Sequence, residues 1–223
     1  MNGMEIVIPN VIREYSQMTL PDVQDMEYFL SRKNRIFYVE GVIYRDADTD
    51  YSQTAELAKT IINLNIEDIG IPKEQRKPII ILIDSLGGEI DQAFILIDVI
   101  QSSVTPVYTI ALSSAMSGGF LILLSGHKKF VFPHSQLLVH QGRAEGISGT
   151  PDEIIAATRN YKDTISRMRD FILANSKIDP KVFAKNQKKD WFISPDQAVS
   201  DEFGIADKII TDLSEVFGGW CFW

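Results

Sequence analysis

Apolar positions along the chain switch between two spacings. Arg35-Ile36-Phe37-Tyr38-Val39-Glu40 reads as a strand, and Tyr51 to Asn65 carries Ala55, Ala58, Ile61, Ile62 and Leu64 near helical spacing. After a loop with Gly70 and Pro72, the run Pro78-Ile79-Ile80-Ile81-Leu82-Ile83 is continuously apolar and β-branched, as expected of a parallel strand buried on both faces. Ile90, Ala93, Phe94, Ile97 and Ile100 then fall on one face of a helix that starts just after Gly87-Gly88. Val107 to Leu112 is the next strand and Met116 to Leu124 the next helix, so the order strand, turn, helix occurs twice in succession. Two short apolar strands come after them, Phe130-Val131-Phe132 and Gln136-Leu137-Leu138-Val139.

Thr150-Pro151-Asp152-Glu153 is a capping box with proline at the first helical position, and it opens a long helix reaching about Asn175. Its apolar face (Ile154, Ile155, Tyr161, Ile165, Met168, Ile172) is too long to pack on one small core, so it is expected to project or to meet another subunit. A second capping box, Ser194-Pro195-Asp196-Gln197, opens a short helix expected to end at Gly204. No repeat or linker interrupts the pattern, and one α/β domain is expected.

Composition narrows the function class. The 223 residues are 45% apolar, and the net charge is -8, from 22 basic against 30 acidic residues. That balance argues against nucleic acid as a partner, because such surfaces cluster Lys and Arg. A single cysteine, Cys221, leaves no intrachain disulfide and no cysteine-based zinc cage. Met1-Asn2-Gly3-Met4-Glu5 has no basic region ahead of an apolar stretch, and the central run Phe120 to Leu124 is far short of the ~20 residues of a membrane span. The expectation is a soluble, cytoplasmic protein with no membrane contact and no cofactor.

Three places carry candidate chemistry. Asp84-Ser85-Leu86-Gly87-Gly88 lies between a buried strand and a helix, where glycine lets main chain approach a substrate closely and aim an N–H into a cleft. The same pair also makes a tight turn. Ser113 to Phe120 passes from strand through small hydroxyl residues to an apolar helix, whose free N–H groups favour a developing anion; small residues there also allow tight packing. His140 ends an apolar strand, a place where histidine is often merely structural. Successive strand ends of an α/β sheet converge on one edge, which is where ligands bind in open sheets.

With those residues in hand, the chain resembles the Clp protease proteolytic subunit (ClpP) family from about Ile8 to about Ile210. Ile8-Pro9-Asn10-Val11-Ile12, a helix and Arg35-Ile36-Phe37 look like its N-terminal loop, helix and first strand. Asp84-Ser85-Leu86-Gly87-Gly88 is similar to its Asn-Ser-Pro-Gly-Gly, and Ser135 to Gln141 to the segment bearing its catalytic histidine. Asp190-Trp191-Phe192-Ile193-Ser194-Pro195-Asp196-Gln197-Ala198-Val199, then Phe203 to Asp207, resembles its Asp-x-Phe-Leu-Ser tail. The resemblance implies a ClpP/crotonase-like spiral of αββ units with a mostly parallel sheet. It also implies one domain over residues 1–223, an N-terminal entrance loop over residues 1–20 and a projecting handle at about residues 142–176.

The activity it implies is serine endopeptidase cleavage of unfolded proteins inside stacked rings of identical subunits, fed by an AAA+ unfoldase. No ATP-binding loop occurs in the sequence, so any energy-dependent step belongs to another protein. The family's nucleophile stands 25 residues before its histidine and is followed by methionine. Counting from His140 this is Ala115, then Met116, and using Ser114 or Ser117 breaks one or other match. Ser117, moreover, is expected to turn away from His140 on the first helical turn. The acid is expected at Asn186, with Asp190 as the fallback, and the oxyanion donors are Gly88 and Met116.

Alanine at 115 implies an inactive chain, by introduced substitution or as a natural non-catalytic ring subunit. A rival reading is a crotonase-like acyl-CoA hydratase or isomerase, which needs no serine. The ending Gly218-Gly219-Trp220-Cys221-Phe222-Trp223 does not match the family. It is expected to pack on the protein's own surface, or else to plug a neighbour's groove.

Overall fold

A computed structural model describes residues 30–144 and 146–217. The expectations for the N-terminal entrance loop, Cys221 and the Trp220–Trp223 ending fall outside the described residues. The chain divides into two compact units, Met1–Asn34 and Arg35–Trp223, and every described strand belongs to the second.

The strands are β1 (Ile36–Ile43), β2 (Ile79–Gly88), β3 (Val107–Met116), β4 (Lys128–Val131), β5 (Gln136–Val139), β6 (Trp191–Ile193) and β7 (Lys208–Ile209). They form one sheet with the path β1-β2-β3-β4-β7, every pair parallel, while β5 pairs parallel with β3 and antiparallel with β6. This is the mostly parallel α/β sheet expected of a ClpP/crotonase-like fold. The alternation of strand side chains sorts β2 between two cores. Ile79, Ile81 and Ile83 join Phe37 and Val39 in the larger core. Ile80 and Leu82 join Ile110, Ile210 and Val216 in a smaller one on the other face.

Helices α1 (Gln53–Glu67), α2 (Ile90–Ser102) and α3 (Gly118–Ser125) cover the larger core. All eight residues of α3 are buried, which is why its sequence is apolar all round rather than striped. Helix α4 (Pro151–Ala174) starts at the expected capping box, Thr150 with Glu153. It buries only Thr164, Met168 and Ile172, a spacing of four that gives one stripe in its second half. Ile154 and Ile155 near its start stand exposed, so the helix projects as expected. Three short helices complete the unit: α5 (Pro180–Asn186), α6 (Pro195–Ala198) and α7 (Ser214–Phe217). Helix α6 stops at Ala198, before the expected end at Gly204.

β3 is the strand that shapes the functional end. Its first half pairs with β4 (Tyr108 to Ala111) and its second half with β5 (Ser114 to Met116). Against β2 the register jumps from Ile83 opposite Ala111 to Ser85 opposite Ala115, so β3 carries extra residues at its middle. Such an insertion bends a strand and re-aims the residues beyond it. Asp84 steadies the bend, its Oδ1 accepting from the Ser114 N–H at 3.1 Å.

The opposite end of the sheet is closed by paired charge. Arg35, just before β1, donates to both carboxylate oxygens of Asp68 (2.8 and 2.7 Å) and to the Lys77 carbonyl (2.9 Å). Asp68 caps the C-terminus of α1 and also accepts from the Thr105 hydroxyl at 2.7 Å. The Arg35 guanidinium holds this buried carboxyl below its ordinary 3.8. Asn65 adds a second clamp, accepting from the Val104 and Thr105 amides (2.9 and 3.0 Å).

Candidate active site

The strand expected to end at Leu112 runs on to Met116, and the helix expected from Met116 starts at Gly118. Between them Ser117 has φ 51° and ψ -116°, a conformation that costs an ordinary residue of order 1–3 kcal/mol and persists only where its surroundings hold it. Two backbone bonds do so: the Ser117 N–H donates to the Leu138 carbonyl of β5 (2.9 Å), and its carbonyl accepts the first helical bond, from Leu121 N–H (3.2 Å). The side chain makes no capping bond to α3. The hydroxyl is thus left free to point out of a sharp strand-to-helix turn, the geometry of a nucleophile elbow.

Glycine makes that turn possible from the neighbouring strand. Gly87 (φ 89°) lies so close that a Cβ on it would come within 2.6 Å of the Met116 carbonyl oxygen and of Ser117 Cβ. Gly88 (φ 151°) has no room for a Cβ against the Ile43 carbonyl. Ser85 fixes the glycines: its buried hydroxyl donates to Gly41 O at 2.7 Å and accepts from Gly87 N–H at 3.1 Å. The Gly88 nitrogen lies 3.7 Å from the place a Cβ on Gly118 would occupy. Gly118 is the first residue of α3, so its N–H is one of those that a helix leaves without an intrahelical acceptor. Two main-chain amides therefore border one spot beside Ser117.

His140 directly follows β5, and its Nε2 lies 2.8 Å from Ser117 Oγ. On its other side, Nδ1 is 3.8 Å from Asp190 Oδ1. The antiparallel pairing of β5 with β6 sets Val139 opposite Trp191, which brings the next residues outward, His140 and Asp190, face to face. At 3.8 Å the carboxylate is near enough to attract an imidazolium but beyond hydrogen-bond length. A cleft of about 920 Å³ opens on Ser117 and His140, walled by Gly87, Gly88, Ile90 and Gln92 on one side and by Tyr161, Thr164 and Met168 of α4 on the other. Among the described residues no group of His, Cys, Asp and Glu is gathered to hold a metal ion, and no helix is long and apolar enough to cross a membrane.

The residues expected from sequence are only partly brought together. Ala115, expected at the nucleophile position, is wholly buried in β3 between Ser85 of β2 and Leu137 of β5, and the hydroxyl that meets His140 is that of Ser117. The expectation that Ser117 turns away from His140 rested on one premise, that a helix begins at Met116, and the helix begins at Gly118. A strand followed by a positive-φ residue turns it toward the histidine instead. Met116, expected as an oxyanion donor, is a strand residue paired with Leu138; the residue after the hydroxyl is Gly118. Gly88 and His140 both line the cleft that opens on Ser117. Asn186, expected as the acid, donates its side-chain amide to Val182 O one turn back in α5 (2.9 Å), and the fallback Asp190 is the residue beside His140. Sequence reasoning passed over Ser85 and Gly118. The Gly118-Gly119 pair directly after Ser117 was the available signal.

Comparison with known proteins identifies the family. Residues 31–212 match the family model for Clp protease. The chain belongs to the Clp protease family. It is 31% identical over 142 residues to "ATP-dependent Clp protease proteolytic subunit 2" of Treponema pallidum, covering 63% of this chain and 70% of that protein. To "ATP-dependent Clp protease proteolytic subunit 1" of Chlamydia muridarum it is 28% identical over 200 residues, 88% of this chain and 95% of that protein. A subunit 1 of the same description from Rhodopirellula baltica is 28% identical over 199 residues, 87% of this chain and 77% of that protein. The family is one of serine peptidases, and the likeness to the Chlamydia protein spans nearly its whole length.

Proposed function

We propose that this chain is an active serine endopeptidase subunit of the Clp type, with Ser117 as nucleophile, His140 as general base and Asp190 as the acid that orients it. The observation that carries the reading is the 2.8 Å approach of His140 Nε2 to a hydroxyl held out at positive φ. His140 takes the Ser117 proton as Oγ attacks a peptide carbonyl. The oxyanion is received by the Gly88 and Gly118 amides, each such donor being worth about 3 kcal/mol in the transition state. The proton passes from His140 to the leaving amine, and water then releases the acyl group by the same route reversed. As His140 becomes positive, Asp190 is drawn in from 3.8 Å and stabilises the charge. A nucleophile at Ser117 removes the ground for an inactive chain or a serine-free acyl-CoA enzyme.

The same reading takes the partners to be further copies of the chain in stacked rings, an AAA+ unfoldase and unfolded polypeptide substrates in the cytoplasm. Support comes from the names of the relatives and from the exposed Ile147, Ile154 and Ile155 on and before the projecting part of α4, a surface suited to a second copy. The test is hydrolysis of a blocked fluorogenic peptide and of an unstructured casein-like chain by the wild type and by Ser117→Ala. Turnover by the wild type that vanishes in the variant is expected. Equal turnover by both would overturn the reading, and so would a wild type that neither cleaves nor is labelled at Ser117 by a fluorophosphonate.

A further inference from the structure

The Gly88 amide sits at the softest point of β2, where two successive glycines leave the chain free to turn. Gly41 of β1 pairs with Ser85, but Val42 pairs with Gly87, so Leu86 is an extra residue, and it stands out with 63% of its surface exposed. A bulge of this kind interrupts the ladder and re-aims the residues that follow it. Ser85 fills the interruption. Its buried side chain donates to Gly41 O at 2.7 Å and accepts from Gly87 N–H at 3.1 Å, so one hydroxyl joins the Gly87 amide to β1 across the bulge. One residue past Gly88 the join is direct, with Glu89 N–H donating to Ile43 O at 2.7 Å. The Gly88 amide therefore lies between two pins on the β1 side. Because N–H groups alternate in direction along an extended chain, it faces the other side, where Gly118 lies.

We infer that Ser85 is a positioning residue for the oxyanion site, its hydroxyl holding the Gly87 peptide so that the Gly88 N–H points at the carbonyl oxygen of the attacked bond. The inference rests on the peptidase reading of Ser117 and adds to it what keeps one oxyanion donor aimed. With 1% of its surface exposed, Ser85 meets no substrate and acts only through the glycines. It also bears on the second donor. A Cβ on Gly119 would lie 3.2 Å from the Ser85 carbonyl oxygen and 3.3 Å from its Cβ, so the first turn of α3, which carries Gly118, packs directly on this residue. Without the hydroxyl the glycine pair loses one of its two pins, and glycine itself sets little barrier to rotation. A donor that must be re-aimed after substrate arrives stabilises the transition state less, whereas binding of the ground state changes little.

The experiment measures kcat and KM for the blocked fluorogenic peptide in the wild type, Ser85→Ala and Ser85→Cys. It also measures the affinity of a peptide aldehyde, whose adduct with Ser117 sets an oxygen against the two amides. Ser85→Ala is expected to lower kcat about 10- to 100-fold with KM within about twofold, and to weaken the aldehyde by the same factor as kcat/KM. Ser85→Cys fills the same space with a weaker hydrogen-bonding group, so its kcat is expected to fall between the two, and it decides the matter if Ser85→Ala does not fold. A lowered thermal midpoint with kcat and aldehyde affinity unchanged in the folded variants overturns the assignment, as does a loss of kcat without loss of aldehyde affinity. If the wild type neither cleaves the peptide nor is labelled at Ser117 by a fluorophosphonate, the peptidase reading itself fails and the assignment falls with it. Equal turnover by the wild type and both variants overturns the assignment alone.

Discussion

The two ends of the parallel sheet use polar groups in opposite ways. At the end where the strands begin, Arg35, Asp68, Asn65 and Thr105 are tied to one another and to main chain, with the carboxylate receiving three side-chain bonds. At the other end the groups are held apart. Gly118 lies at a helix start, Ser117 bonds its hydroxyl, among the described residues, only to an imidazole, and Asp190 stops short of hydrogen-bond distance from that imidazole. A satisfied network stabilises the sheet, whereas one held incomplete in a fixed frame is ready to act on an arriving substrate. The contrast shows why charged residues alone do not mark the site: Asp68, a carboxylate with three side-chain bonds, belongs to the scaffold.

Substitutions can break this contrast, and the largest effect falls at the incomplete end. Ser117→Ala should lower kcat by about 10⁴-fold or more with unchanged circular dichroism, since the remaining donors sustain only residual catalysis. Asp190→Asn should lower kcat by about 10²- to 10⁴-fold in steady-state peptide hydrolysis. Asn186→Ala, which removes only an amide bonded within its own helix, should stay within about twofold under the same assay. At the complete end, Asp68→Asn should leave kcat unchanged but reduce unfolding free energy in urea by about 3 kcal/mol, because it strips a half-buried arginine of its buried charge partner.

That stability difference has a predictable pH dependence. The native carboxyl is held below its ordinary 3.8, so the contribution is complete above about pH 4. It is lost as pH falls through the lowered native value, and the wild type and Asp68→Asn should converge there; a gap that grows on acidification would contradict the pairing. The smallest effect is expected at Ala115→Ser. A hydroxyl in that wholly buried strand position should lower stability by about 1–2 kcal/mol. In a Ser117→Ala background it should restore no hydrolysis, and restored turnover would return the nucleophile to position 115.

Much of this was legible from periodicity, and the misreadings have a common cause. Continuous runs such as Ile79 to Ile83 announce buried parallel strands, and Thr150 with Glu153 marks a helix start to the residue. The His140 strand end and the glycines at 87 and 88 pointed to one edge of the sheet, and all three line the same cleft there. What periodicity did not reveal is a strand that stays a strand through Leu112-Ser113-Ser114-Ala115-Met116. Small hydroxyl residues there look like a turn, but β5 and Asp84 supply hydrogen bonds that keep them extended. Two further residues of chain carry the hydroxyl from position 115 to 117. The positive φ of Ser117 was equally hidden, because tertiary contacts rather than glycine at that position impose it. Asp190 became legible only through the pairing of β5 with β6, a long-range contact that no local spacing encodes.

The bond from Ser117 N–H to Leu138 O carries one more consequence. Ser117 and His140 are both tied to the same short strand, Ser117 through the Leu138 carbonyl and His140 as the residue that follows Val139, so a displacement of β5 carries the two together. Asp190 instead directly precedes a different strand of only three residues, Trp191–Ile193. The distance from Asp190 to the imidazole is therefore set by how β6 pairs with β5, whereas that from Ser117 is set by β5 itself.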